Sequence, residues 1–338
     1  MLFCKGTSAN IQVLSDIFVR YAQISGQLIN PQKSTIYAGS MSHSRILNVS
    51  NSLGFGIGTI PFLYLGVPFF KGKPKAIHFQ PLVDRIKIKL ASWKASLLSF
   101  AGRLELIRSV VQGMMIYSIS IYSWPVNLIK ELDKYMRNFL WSGDRKLVIV
   151  SWNTVCTPID EGGLGLRSLS KINEASNLKL CWEMMHSDNL WATFLRSRVK
   201  RGNKFIGYHI FSSLWSGIKS QAHTINEISM WLLGDGESIN FWNYNWCGTP
   251  LVDLFNIPSQ LHINLHSTVS QYIHSSQWFI PEDLQQNFPA LMAHINQITI
   301  PIVQKEDRLI WKNNASGELT LKDAYLFSLS CWSKKKLG

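Results

Sequence analysis

Residues 81–114 read PLVDRIKIKLASWKASLLSFAGRLELIRSVVQGM, and their spacing decides the class of fold. Leu82, Ile86, Leu90, Trp93, Leu97, Ala101, Leu104, Ile107, Val111 and Met114 step by three or four, the repeat that puts side chains on one face of an α-helix. The stretch is one long helix, or two helices meeting near Gly102. Cations stand between the apolar positions. Residues 71–110 hold Lys71, Lys73, Lys75, Arg85, Lys87, Lys89, Lys94, Arg103 and Arg108 against Asp84 and Glu105, a net charge of +7. Arg85 and Lys89 lie one turn apart, off the Ile86/Leu90 stripe. A rod that is apolar on one side and cationic on the other docks on a core and offers its second side to a phosphate backbone, a grip without base specificity. A solvated polar face is the plainer reading of the same pattern.

Helical spacing recurs on either side. Residues 8–25 carry Ile11, Leu14, Phe18, Tyr21 and Ile24, with Gly26 placed as a C-terminal cap. Residues 43–53 follow Ser42, a candidate N-cap. Leu128 to Trp141, through Leu132, Tyr135 and Phe139, and residues 168–200 are also expected to be helical. Short β elements fall between. Ser34 to Tyr37 reads as a strand, and Pro61 to Phe70 as a strand or hairpin centred on Gly66. Residues 231–242 read as a hairpin around Gly234-Asp235-Gly236-Glu237, and Arg308 to Lys322 as another around residues 313–317. The expected class is mainly α with small β elements, an α+β fold.

Composition narrows the function. The chain has 338 residues, 46% of them hydrophobic and 16% charged, which excludes a disordered chain. Its 34 Lys and Arg against 21 Asp and Glu leave a net charge of +13, suited to a phosphate-rich partner. A second basic cluster, Arg196, Arg198, Lys200, Arg201 and Lys204, falls near a helix end, where cations also favour the helix dipole. Five widely spaced cysteines (Cys4, Cys156, Cys181, Cys247 and Cys331) make neither a disulfide framework nor a zinc site, and fit an intracellular compartment, nucleus or cytoplasm. The N-terminus is charged too early for a secretory signal. The charge-free run between Arg108 and Lys130 holds Gln112, Gly113, Ser118, Ser120, Ser123, Pro125 and Asn127, so a buried helix is expected there and no transmembrane segment.

Chemistry is hard to find. Gly66 to Lys73 has the wrong spacing for a phosphate loop, and Pro74 replaces the required hydroxyl residue. Gly54, Gly56 and Gly58 lack the dinucleotide fingerprint. His262 and His266 lack a third metal ligand. By residues alone this is a basic, helix-rich binding protein.

A set of ordered motifs adds a family. Ser25-Gly26-Gln27-Leu28-Ile29-Asn30-Pro31-Gln32-Lys33-Ser34 resembles an S-G-L-x-x-N-x-x-K-S segment, and Tyr64-Leu65-Gly66-Val67-Pro68 a Y-L-G-V-P segment. Trp93, Ala101-Gly102-Arg103-Leu104, Phe139-Leu140-Trp141, Gly162-Gly163-Leu164-Gly165 and Asn173 with Ala175 follow in order. Then come Trp231, Gly234-Asp235-Gly236, Phe241-Trp242 and Trp246, and finally Ser316-Gly317-Glu318-Leu319-Thr320 with Ala324-Tyr325. Together they resemble plant LINE-type (non-LTR) retrotransposon reverse transcriptases.

The resemblance implies a partial palm with the primer-grip turn over residues 1–75, and a helical thumb over 76–150. It implies a helical connector over 151–230. A β-hairpin region with a truncated start of the zinc-binding region takes up 231–338. In this family the catalytic F/Y-A-D-D turn lies just upstream of a segment like Leu2-Phe3-Cys4-Lys5. The metal-binding aspartates are therefore expected to be missing, together with the Mg²⁺ of an intact member and its nucleotidyl transfer, and no metal or other cofactor is expected. Lys33 matches a lysine near the incoming triphosphate. Tyr64, Leu65 and Gly66 match the primer grip, and Arg103 the thumb arginine. The implied partner is an RNA or DNA template-primer. A helical protein-interaction or structural protein with no nucleic-acid role is the alternative.

Overall fold

The computed structural model describes residues 1–141, 150–201, 204–208, 210–303 and 305–336, without the side chains of Arg201, Lys204 and residues 331–336. Cys331 and the basic run Lys334-Lys335-Lys336 therefore lie outside the described side chains. The chain forms two compact units, Met1–Lys71 and Gly72–Gly338. Its class is mainly α with small β elements, as the periodicity predicts.

The first unit begins with α1 (Ser8–Ser25). Thr7 starts it by accepting the Asn10 N–H at 3.3 Å, and Gly26 stops it at φ 69. The expected stripe is not covered. Ile11 is buried, but Tyr21 and Ile24 are 50% and 81% exposed. The helix forms through local spacing and its caps, while little packs on it. β1 (Thr35–Tyr37), α2 (His43–Leu53) and β2 (Gly56–Gly58) make a parallel β-α-β crossover with Thr35 opposite Gly56. β3 (Phe62–Tyr64) and β4 (Val67–Phe69) form an antiparallel hairpin.

In the second unit α3 (Ala76–Ser92) is followed by α4 (Phe100–Leu106), a π-helical turn (Ile107–Val111) and α5 (Gln112–Ile121). The break in this helical stretch is not at Gly102. Trp93 turns extended at ψ 118 and closes α3, and Ser99 caps α4 by accepting the Gly102 N–H at 3.1 Å. Gly102 therefore sits in the first turn of α4. The buried register is Phe79, Val83, Ile86 and Leu90, then Ile107, Val111, Met115 and Ile119. It differs by one residue from the expected Leu82 and Met114, and Leu97 is 77% exposed. Phe100–Ile121 is, among the described residues, the one helical run long and apolar enough by length and composition to cross a membrane; here α5 packs against α8.

The chain continues through α6 (Val126–Leu140), α7 (Trp152–Val155), α8 (Leu169–His186) and α9 (Leu190–Val199). The stretch 168–200, expected to be helical, holds two helices, with Ser187-Asp188-Asn189 between them. A two-residue pair, β5 (Lys200–Arg201) with β6 (Lys204–Phe205), precedes α10 (Trp215–Ile228) and β7 (Ser229–Leu232). Then come α11 (Leu251–Leu254), β8 (Ile273–His274) paired with β9 (Gln277–Trp278), α12 (Glu282–Asn287) and α13 (Leu291–Ile295). β10 (Arg308–Trp311) and α14 (Leu321–Lys336) complete it.

Helix α8 is central, packing against α5, α10 and α14. Its buried Leu178 and Trp182 join Trp215, Ile218, Leu309, Trp311 and Ala324 in one core; each large apolar side chain there contributes about 1.5–3 kcal/mol of burial. A second core gathers Phe241, Trp242, Trp246, Leu251, Val269 and Leu291.

The two expected C-terminal hairpins are replaced by one long-range pairing. β7 pairs antiparallel with β10, placing Trp231 opposite Leu309. The Gly234–Ser238 turn does not return a strand. It wraps the Asp307 carboxylate, which accepts the N–H groups of Gly234 (2.7 Å), Gly236 (3.0 Å) and Ser238 (2.9 Å). After β10 the chain turns, with the Trp311 N–H on the Gly317 carbonyl at 2.7 Å, and enters α14 instead of a second strand.

Candidate nucleic-acid interface

Helix α3 presents the cationic rod. With Phe79, Val83, Ile86 and Leu90 turned into the core, Arg85 and Lys89 stand exposed one turn apart. Lys94 is exposed just beyond the helix, and Lys73 and Lys75 just before it. Lys75 is the N-cap, and its backbone N–H donates to His78 Nδ1 at 3.1 Å. Among the described residues none of these five cations forms an ion pair. The Lys89 ammonium lies 5.8 Å from the centre of the Trp93 ring, a cation beside a flat apolar face.

Three of the expected cations are used internally. Lys87 binds Glu131 of α6 at 2.6 Å and lies 5.1 Å above the Tyr135 ring, and the bond to Glu131 above all raises its pKa over the ordinary lysine value. It ties α3 to α6. Arg103 is turned away from solvent. It is buried, with Nη1 donating to the Ala95 carbonyl at 3.1 Å, because α4 turns this position inward to hold the segment after α3. Arg108 bonds Glu105 at 3.2 Å and reaches the Leu164 carbonyl at 3.0 Å. That contact tethers the glycine loop, in which a side chain at Gly163 would strike the Thr157 carbonyl.

The structure adds cations that periodicity did not single out. Lys130 and Lys134 are exposed one turn apart on α6, the helix against which α3 packs. Their signal was present as an i, i+4 lysine pair beside the apolar stripe of that helix. The second cluster disperses. Arg196 is spent on the carbonyls at the end of α8, at 3.0 Å to Met184 and 2.7 Å to Ser187. Arg198 stacks over Phe194. Arg201 and Lys204 lie outside the described side chains.

In the first unit, Tyr64 and Val67 close a two-residue turn whose central residues, Leu65 (φ 50) and Gly66 (φ 79), both have positive φ, the pattern of a type I′ hairpin. Leucine in that region costs about 1–2 kcal/mol, yet Leu65 is 83% exposed, so no burial offsets the strain. Lys33 is exposed at the end of a short 3₁₀ turn, and Lys71 is exposed at the end of the unit. Asn30 explains much of the motif around Lys33. Its side chain accepts the N–H groups of Gln32 at 2.9 Å and Lys33 at 3.3 Å.

No group of three His, Cys, Asp or Glu able to hold a metal ion occurs among the described residues. Burial pushes the thiols of Cys156 and Cys181 up to about 12 and that of Cys247 to about 11, which keeps them protonated and unreactive.

No family model matches the chain. Over 259 residues it is 27% identical to the Arabidopsis thaliana protein named "Putative ribonuclease H protein At1g65750", a match covering 73% of this chain and 42% of that protein. The chain has plant relatives. A second, the Arabidopsis thaliana "Uncharacterized mitochondrial protein AtMg00310", is 28% identical over 152 residues, 42% of this chain and 99% of that protein. The chain spans less than half the length of the first relative.

Proposed function

We propose that this chain is the nucleic-acid-gripping part of a non-LTR retroelement reverse transcriptase, and that it holds a template-primer backbone in the nucleus or cytoplasm. One observation carries the reading: Arg85 and Lys89 stand exposed on α3, whose other side is core, Lys73, Lys75 and Lys94 are exposed just beyond its ends, and among the described residues none of the five forms an ion pair. Cations so placed exchange counterions for phosphates. The name of the Arabidopsis relative, a ribonuclease H protein, supports nucleic acid as the class of partner. The exposed, strained turn at Leu65-Gly66 suits close backbone contact with a strand. In this reading residues 1–75 stand for palm and primer grip, 76–150 for thumb and 151–230 for connector. The described residues do not fit a two-metal centre, and no step of nucleotidyl transfer is assigned to them.

Fluorescence anisotropy with a labelled RNA–DNA hybrid tests the proposal. Affinity should fall steeply as salt rises, with a log–log slope of about −3 or steeper, near −0.9 per phosphate neutralised. Affinity indifferent to salt, or no binding at low salt, would refute it. Co-purifying proteins that survive nuclease treatment would favour an interaction protein instead.

A further inference from the structure

Helix α1 carries apolar side chains on two sides. One side holds Ile11, Leu14 and Phe18 and is turned into the first unit: Ile11 is buried, and the Phe18 ring meets that of Phe55 with centroids at 5.9 Å. The other holds Val13, Ile17, Tyr21 and Ile24, each about one turn from the next. This second stripe stands in solvent, with Val13 56% and Ile17 54% exposed. The solvent side of a helix is ordinarily polar, and a run of apolar side chains there marks a contact with another polypeptide. One cation lies within the stripe. Arg20 falls between Ile17 and Ile24 and is exposed, and Asp16 is exposed one turn before it. Gln12 Nε2 donates to Asp16 Oδ1 at 3.1 Å. Among the described residues neither Asp16 nor Arg20 forms an ion pair. An arginine enclosed in an apolar contact needs an anion beside it.

A second copy of the same helix supplies both the apolar cover and the anion. Around a two-fold axis one patch serves as both halves of a contact, and two helices so related can run antiparallel. Setting Val13 opposite Ile24 of the second copy puts Ile17 and Tyr21 at the centre. The same register brings Asp16 beside Arg20 of the second copy, and the axis repeats the pair. A parallel arrangement would instead set Arg20 against Arg20 and Asp16 against Asp16, which like-charge repulsion disfavours. We propose that two copies of this chain associate by antiparallel packing of α1 on α1, with two Asp16–Arg20 ion pairs across the contact. The patch is small beside the roughly 20–30 residues a side of a standard interface, so the association is weak, with a Kd of about 10 μM, and α1 is bare in dilute protein. The surface shares no residue with the α3 grip and does not depend on it.

Sedimentation velocity of the whole chain, from about 1 to 200 μM and free of nucleic acid, tests this. The mass should rise from one copy to two and stop there. Ile17→Glu, at an exposed position, should hold the chain monomeric throughout while circular dichroism and the melting temperature stay nearly unchanged. Asp16→Arg should weaken the dimer about tenfold or more, because it gathers four cations in the contact. Asp16→Arg with Arg20→Asp should restore it, since the exchanged charges meet again across the axis. R85Q/K89Q/K94Q should dimerise like the native chain, which separates this surface from the α3 face. A chain that is still one copy at the highest concentration overturns the proposal and leaves the stripe to a different polypeptide. A dimer that Ile17→Glu leaves intact, or one that the double charge exchange fails to restore in a folded chain, overturns it as well.

Discussion

Single side chains decide much of what holds the second unit together. Asn173 on α8 is buried, and its Nδ2 donates to the carbonyls of Ile119 (2.8 Å) and Tyr122 (2.6 Å) while its Oδ1 accepts the Trp124 N–H (3.0 Å). It ends α5 and fastens that end to α8. Asn173→Leu would strand three backbone groups in the interior, so chemical denaturation should show a drop in stability of about 3 kcal/mol or more. Asp133 on α6 works the other way. Burial pushes its carboxyl up to about 6, with nearby Arg137 partly opposing the shift. The folded chain therefore holds this proton where the unfolded chain has released it. Its contribution to stability is greatest below about pH 4, falls as pH rises to about 6, and stays low above that, a penalty of about 3 kcal/mol at neutral pH. Asp133→Asn should raise the melting temperature at pH 7.5 and leave it unchanged near pH 3.5. A gain of equal size at both values would mean that ionisation is not the cause.

Elements show which parts of the fold were legible in the sequence. Helices were, because their signal is local: α1, α2 and α6 match the periodic runs and caps within a residue or two. Their register was less so. One step separates Leu82 from the buried Val83, and Arg85 on α3 stays in solvent while Arg103 on the separate helix α4 turns inward. Periodicity alone could not tell those two arginines apart. Pairing between β7 and β10 was not legible, since the Asp-Gly turn is a local hairpin signal and the true partner lies far along the chain. Nor was the role of Asp307, whose carboxylate organises that turn. Uneven packing has a measurable consequence. α8 carries ten buried residues and α1 only Ile11. Native-state hydrogen exchange should therefore protect the central amides of α8 far more than those of α1, by about two orders of magnitude or more. Equal protection would mean that α1 is covered in solution.

At the scale of the whole molecule the net charge of +13 is unevenly used. Some cations are spent as struts, as Lys87, Arg103 and Arg196 are, and others stand ready along α3. Only the second kind can release counterions. The decisive measurement is therefore the salt dependence of RNA–DNA hybrid binding in the native chain and in R85Q/K89Q/K94Q, with matched circular dichroism. In the variant, binding at low salt should be weaker and the log–log slope shallower by about two to three, near 0.9 for each phosphate no longer neutralised. An unchanged affinity and an unchanged slope in a folded variant would contradict a phosphate grip along α3.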